Sequence, residues 1–265
     1  MGYENVLWKL QGDKVLESIN AGKRLDARKF DEYRKIEIRK DISHLAEATT
    51  QVKLGNTEVI CGIKLEIGVP YPDSPEEGSM STSVELLPLA SPEFESGPPS
   101  ENAIEIGRVV DRSIREGGCL DFKDLFVEEG KSWIAFIDFY PINYDGNLFD
   151  ACSIAGMSAL LNAKIPKLED GVIVRGEWKG KLKLKNHAVL NSFAKIGNSI
   201  VADPSIAEEK ALTSRIHISF NSDGNLNAFQ KGGPGSLTAN ELDQAIDTGL
   251  KNSKHLIKII EESSE

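Results

Sequence analysis

A chain of 265 residues is long enough for one large or two medium folding units with a substantial core. Its 40% hydrophobic and 27% charged content is that of an ordinary globular protein. A net charge of −10 argues against a free-standing, sequence-independent nucleic-acid binder, which is normally basic, and leaves room for a local basic patch.

Residues 4–21 place Leu7, Leu10, Val15, Leu16 and Ile19 at helical spacing. The spacing predicts an amphipathic helix, weakened at Gly12 and stopped at Asn20-Ala21-Gly22. Strands follow. Between Tyr33 and Arg39, Ile36 and Ile38 alternate with Lys35, Glu37 and Arg39, and residues 47–54 and 57–66 flank Gly55-Asn56, a hairpin signal. Prolines crowd residues 70–100, which read as a long excursion with one apolar strand, Val84 to Leu89, inside it. Asn102 to Glu116 predicts a helix with Ile106, Val109, Val110 and Ile114 facing inward. Ser132 to Asn143 is apolar on both pleat faces, the mark of a central strand covered on both sides. Leu148 to Ala163 predicts a helix whose small residues suit it to lie close on a sheet.

The second half follows the same plan. Residues 187–196 and 199–203 flank Gly197-Asn198, and residues 215–220 and 226–230 flank a turn at 221–224. Thr238 and Glu241 form a capping box that opens a helix with Leu242, Ala245, Ile246, Leu250, Leu256 and Ile260 on one stripe. Strands, long helix, strands, long helix describe an α+β chain with a duplicated unit, not strict βαβ alternation.

Arg108, Arg112 and Arg115 fall on one helix face. Such a row suits a phosphate backbone, but on its own is more commonly an exposed face paired with acids, here Glu101, Glu105, Asp111 and Glu116. Asp203, Glu208 and Glu209 follow a strand end, where carboxylates either hold Mg²⁺ beside a phosphate or surround a turn at Asp203-Pro204. The glycine-rich stretch Lys231–Ser236 lacks the ending and spacing of a phosphate loop and reads as a connection. His44, His187, His217 and His255 form no metal spacing, and Arg215 and His217 are expected on the outward face of a strand. No metal and no cofactor is predicted. Cys61, Cys119 and Cys152 are far apart and odd in number, which favours a reducing cytoplasm. No apolar run approaches the roughly 18 residues of a membrane span. The start lacks a signal-peptide core, and Val6 replaces the Ser or Thr of a myristoylation signal, so no membrane association is expected.

Several motifs carry a family resemblance. Gly22-Lys23-Arg24-Leu25-Asp26-Ala27-Arg28 with Tyr33-Arg34 resembles the Arg-x-Asp-Gly-Arg opening of the ribonuclease PH family, with Ala27 in place of the usual glycine. Residues 84–89, 97–105 and Arg108-Val109-Val110-Asp111-Arg112-Ser113 are more specific. Together with Asp145-Gly146-Asn147-x-x-Asp150-Ala151-Cys152 they resemble the non-catalytic ribonuclease PH-like subunits of archaeal exosomes. The resemblance covers residues 20 to 262. It implies one ribonuclease PH-like domain of two similar βαβα-type halves, 31–168 and 169–265, after an N-terminal helical extension, 1–30. It also implies a ring of three heterodimers with a catalytic homologue, RNA-binding cap subunits, and single-stranded RNA threaded for 3′→5′ phosphorolysis.

Carried over residue by residue, the resemblance is uneven. Active relatives hold phosphate with a hydroxyl and a guanidinium at a helix start; here the matching positions are Asn147, Leu148 and Phe149, a degenerate site. The acidic pair of active relatives maps near Asp203 and Glu209, retained as vestiges. Arg108 and Arg112 match positions that reach RNA in a neighbour's active site, with Arg115 beside them. The expectation is a pseudoenzyme subunit with no catalytic residues; the alternative is a self-sufficient phosphorolytic 3′→5′ exoribonuclease.

Overall fold

The computed structural model describes residues 3–169 and 171–264. The first part of the chain runs α1 (Tyr3–Asn20), β1 (Ile36–Lys40), β2 (Ala48–Leu54), β3 (Thr57–Gly68), β4 (Ser79–Val84), α2 (Glu101–Glu116), β5 (Phe126–Glu128), β6 (Lys131–Asn143) and α3 (Leu148–Asn162). The rest runs β7 (Lys164–Glu169), β8 (Val172–Lys181), β9 (Ala188–Ile196), β10 (Ser199–Ala202), α4 (Ile206–Ala211), β11 (Ser214–Asn221), β12 (Leu226–Gly232) and α5 (Ala239–Ser264). One sheet has the order β1-β2-β3-β6-β4 with β5 also on β6; the other has the order β10-β9-β11-β12. Strands β7 and β8 form a separate ribbon. This is the α+β organisation of two sheet-and-helix units that the sequence predicts.

Helix α3 joins the units. It packs against β2 and β3 on one side and β9 on the other, and every residue from Leu148 to Leu160 is buried. Its small side chains make that possible: a Cβ at Gly156 would lie 2.8 Å from the Phe139 ring. The inward residues of α2 (Ile106, Val109, Val110 and Ile114) join the same core, as their spacing requires. The second sheet is covered twice. Phe193, Ile216, Ile218 and Phe220 pack with Ala245 of α5, while Ala194, Ile196 and Val201 pack with Val15 and Ile19 of α1. The side chains of Leu7 and Leu10 lie outside the described residues. No helix among the described residues is long and apolar enough to cross a membrane.

Three expectations need correction. The strand inside 70–100 is Ser79–Val84, running parallel to β6, not Val84 to Leu89. Its alternate hydroxyl residues carry little apolar signal, and the apolar stretch beyond Val84 leaves the sheet and ends in an exposed Leu89. Strand β6 is central but covered on one face only. Trp133, Ala135, Ile137 and Phe139 are buried, whereas Ile134, Phe136 and Tyr140 are partly open. Finally, β7, β8 and α4 were not anticipated: β8 is almost entirely exposed, so no burial pattern marks it, and α4 has only six residues.

Candidate functional site

Helix α3 begins just after the turn that leaves β6. Gly146 has φ +86°, and a Cβ there would meet the backbone of Ser205 and Ile206 at 2.5 Å, so the position admits only glycine. Asn147, the buried N-cap, is left-handed with φ 57° and ψ 52°. Its side-chain amide donates to Asp150 Oδ2 and to Asp203 Oδ1, each at 2.8 Å. Its backbone N–H donates to Glu209 Oε1 at 2.8 Å, and the Tyr144 hydroxyl donates to the other Glu209 oxygen at 2.5 Å. A helix N-terminus attracts negative charge. Here that charge is the chain's own Glu209 carboxylate. Burial pushes Glu209 above its ordinary pKa, opposed by the donors Tyr144 and Asn147 N–H. Leu148 and Phe149, 4% and 7% exposed, put carbon at the helix start, where they line a small cavity together with Tyr144, Glu209 and Arg215.

The second acidic residue, Asp203, is held by arginines. Arg34 grips both its oxygens, with Nε 2.9 Å from Oδ2 and a terminal nitrogen 2.7 Å from Oδ1, and Arg28 reaches Oδ2 at 2.9 Å. Burial alone would raise the Asp203 carboxyl, but Arg34 and Arg28 outweigh it and hold it below its ordinary value. Glu208 points elsewhere, to Arg24, whose guanidinium contacts both its oxygens at 2.8 and 2.6 Å. The three carboxylates considered for Mg²⁺ therefore turn to three different partners. Among the described residues no group of three or more His, Cys, Asp or Glu is placed to hold a metal ion. The structure brings Asp203 and Glu209 together around Asn147, one on its side chain and one on its backbone.

Behind the cap lies a buried polar chain. Asp150 accepts from the Tyr33 hydroxyl at 2.6 Å, from Ser192 Oγ at 2.6 Å and from Ser192 N–H at 2.9 Å. Burial nonetheless raises its pKa to about 6. Ser192 Oγ also lies 2.7 Å from His217 Nδ1. His217 is therefore not on an outward face: it is 3% exposed and stacks on Phe149, with ring centroids 3.8 Å apart. The helix start covers that face of β11. Burial, and then the nearby Arg215 charge, push His217 down to about 3, so it is neutral. Arg215 is half-buried, ion-paired with Glu105 and above the Phe149 ring.

The arginine row on α2 divides. Arg108 and Arg112 are exposed, and Arg112 makes one long contact of 3.5 Å with Gln230. Arg115 turns to β4: it pairs with Asp111 at 2.9 Å, donates to the Met80 carbonyl at 3.1 Å and lies over the Phe122 ring. Sequence reasoning missed Tyr144 and gave Arg24, Arg28 and Arg34 no role. Their partners stand far away in the chain, and only the family motif marked the arginines.

The domain 1 profile of the 3′ exoribonuclease family matches residues 32–166, and the domain 2 profile matches residues 188–252. This chain belongs to the ribonuclease PH family. Its similar ribonuclease PH relatives include the exosome complex component Rrp42 of Thermococcus gammatolerans, 44% identical over 95% of this chain and 94% of that protein. The component of the same name from Methanothermobacter thermautotrophicus is 43% identical, over 98% of this chain and 97% of its own length. Among solved structures, a chain of the Archaeoglobus fulgidus exosome with RNA bound to the active site superposes with a TM-score of 0.90 at 38% identity, covering 96% of this chain and 98% of that one. A chain of an archaeal exosome core superposes with a TM-score of 0.87 at 35% identity, covering 99% of each.

Proposed function

We propose that the chain is a ring subunit of an archaeal-type exosome that supports RNA phosphorolysis by a catalytic homologue and breaks no bond itself. The observation that carries this reading is the filled mouth of α3. Glu209 takes the cap N–H, and Leu148 and Phe149 stand where a hydroxyl and a guanidinium would contact phosphate. Phosphorolysis needs an inorganic anion held in line with the scissile bond, and a buried carboxylate repels one. The acidic pair Asp203 and Glu209 thus serves the fold.

In this reading three copies alternate with three catalytic subunits, with RNA-binding caps on one face. Arg108 and Arg112, exposed on α2, supply charge to single-stranded RNA, and Arg115 holds α2 to β4. Work in the cytoplasm accords with three buried, unpaired cysteines.

The test is phosphorolysis by each protein alone and by the mixture, with labelled RNA, Mg²⁺ and phosphate. The mixture, and not this chain by itself, is expected to release nucleoside diphosphates. Arg108→Ala or Arg112→Ala should weaken RNA binding by the mixed ring and lower its salt slope by about 0.7 per lost phosphate contact, with assembly intact. Release of nucleoside diphosphates by the isolated chain would establish a self-sufficient phosphorolytic exoribonuclease instead.

A further inference from the structure

One exposed segment of this acidic chain is locally basic. Residues 164–185 carry seven Lys or Arg against three Asp or Glu, within a net charge of −10. They form the β7–β8 ribbon and the stretch that follows it, and β8 is exposed from Arg175 to Lys181. Three of the cations are neutralised locally: Arg175 by Glu47 and Glu66, Lys167 by Glu169 and Glu177, and Lys185 by Asp121. Lys179, Lys181 and Lys183 are exposed and have no ion pair among the described residues. The Lys164 ammonium has no ion pair among the described residues, and its Nζ lies 5.7 Å from the centre of the Trp178 ring.

The ladder places like charges together. Lys164 stands directly opposite Lys181, and Trp178 stands opposite Pro166, two residues further along β7 on the same face. Facing like charges weaken an antiparallel pair, so the Lys164–Lys181 pairing does not serve the fold. Lysine on an open edge strand does discourage pairing with another chain. That purpose requires neither facing lysines nor a tryptophan 38% exposed beside them. Unpaired ammonium groups next to an open ring are the combination that holds single-stranded nucleic acid: cations follow the phosphates and the ring stacks on a base. An acidic protein surface would use the cations and leave the ring without a purpose.

We propose that the β7–β8 ribbon is an RNA-binding surface additional to Arg108 and Arg112, with Lys164, Lys179, Lys181 and Lys183 along the backbone and Trp178 stacked on a base. The proposal rests on the reading of the chain as a subunit of an RNA-degrading ring.

The experiment uses the full chain assembled with its catalytic homologue, with fluorescein-labelled oligoadenylate as the probe and affinity measured against salt. A variant carrying Lys164→Gln, Lys179→Gln, Lys181→Gln and Lys183→Gln should bind at least about tenfold more weakly, with a salt slope shallower by up to about 3. Trp178→Ala should weaken binding about fivefold or more, and Trp178→Phe should restore most of it. Unchanged thermal midpoints verify that these surface changes leave the fold intact. Arg108→Ala and Arg112→Ala serve as the comparison. If they lose affinity while the lysine variant keeps wild-type affinity and slope, the ribbon proposal is overturned and the RNA-positioning reading stands. If neither set loses affinity, both fall. If the lysine variant fails to join the other subunits but assembled rings bind RNA normally, the ribbon is a protein-docking surface and the proposal is overturned.

Discussion

Replacing Asn147 with alanine should destabilise the fold by about 3–4 kcal/mol, and on the function proposed above neither the variant nor the wild type should bind phosphate. The variant loses two hydrogen bonds to buried carboxylates, at Asp150 and Asp203, and the capping bond that Asn147 Oδ1 accepts from Asp150 N–H, whose 3.3 Å length makes its share small. Neither carboxylate is stranded, because Asp203 keeps Arg28 and Arg34 and Asp150 keeps Tyr33 and Ser192. Each of the two lost bonds therefore falls just below the usual range for a charged acceptor, at about 1–1.5 kcal/mol. A left-handed alanine adds about 1 kcal/mol. Against a native stability of roughly 5–15 kcal/mol the protein stays folded. Urea unfolding followed by tryptophan fluorescence measures the shift, and Asn147→Gly should recover about 1 kcal/mol of it. Calorimetric titration with phosphate should be flat for all three proteins. An alanine variant within about 1 kcal/mol of wild type would refute the structural role of the cap. Heat of phosphate binding that disappears with Asn147 would refute the filled mouth.

Other perturbations separate the remaining contacts. Arg115→Ala should cost about 1–2 kcal/mol of stability, from a half-exposed pair with Asp111 and the Met80 carbonyl bond, while changing RNA affinity less than Arg108→Ala does; equal losses of RNA affinity would return Arg115 to the RNA-contacting set. His217 is held down to about 3, so the unfolded chain takes its proton first, and its contribution to stability is lost as pH falls from about 6.5. Relative to wild type, His217→Gln should therefore gain about 1.4 kcal/mol per pH unit on acidification in that range; parallel unfolding curves would exclude a buried neutral histidine. Asp150 acts in the opposite sense, its contribution being lost as pH rises through about 6, so the wild-type profile between pH 4 and 6 should be flatter than either residue alone would make it. Ala27 has φ 64°, where the family motif carries glycine, so Ala27→Gly should raise the urea midpoint by an amount worth up to about 1 kcal/mol.

Legibility in the sequence followed burial. Elements with one wet face and one dry face were readable: α2 by its 3.6-residue period, and β2–β3 by alternation on either side of a glycine turn. Strands β9 and β10, buried on both faces, were marked by the Gly197-Asn198 turn between them. The small residues of α3 announced close packing, which Gly156 against Phe139 realises. Strand β4 was misplaced because its register is set by pairing with β6, not by its own serines. His217 was misassigned because the element that covers it, the start of α3, lies nearly 70 residues away in the chain. Leu148 and Phe149 signalled an altered helix mouth. That Glu209 fills it could not be read locally, since the partnership between Asn147 N–H and that carboxylate spans 62 residues. The arginine row was half legible: periodicity placed three guanidiniums on one face, but the side contacts that claim Arg115 come from β4 and Phe122.

The seat of the opening helix sets a timetable for synthesis. Val15 and Ile19 rest on Ala194, Ile196 and Val201, and Arg24 awaits Glu208, which is 184 residues downstream. A ribosome releases the N-terminus first. Helix α1 thus remains undocked until β9 and β10 have emerged, and any nascent chain cut short before β10 offers an oily stripe to chaperones and proteases.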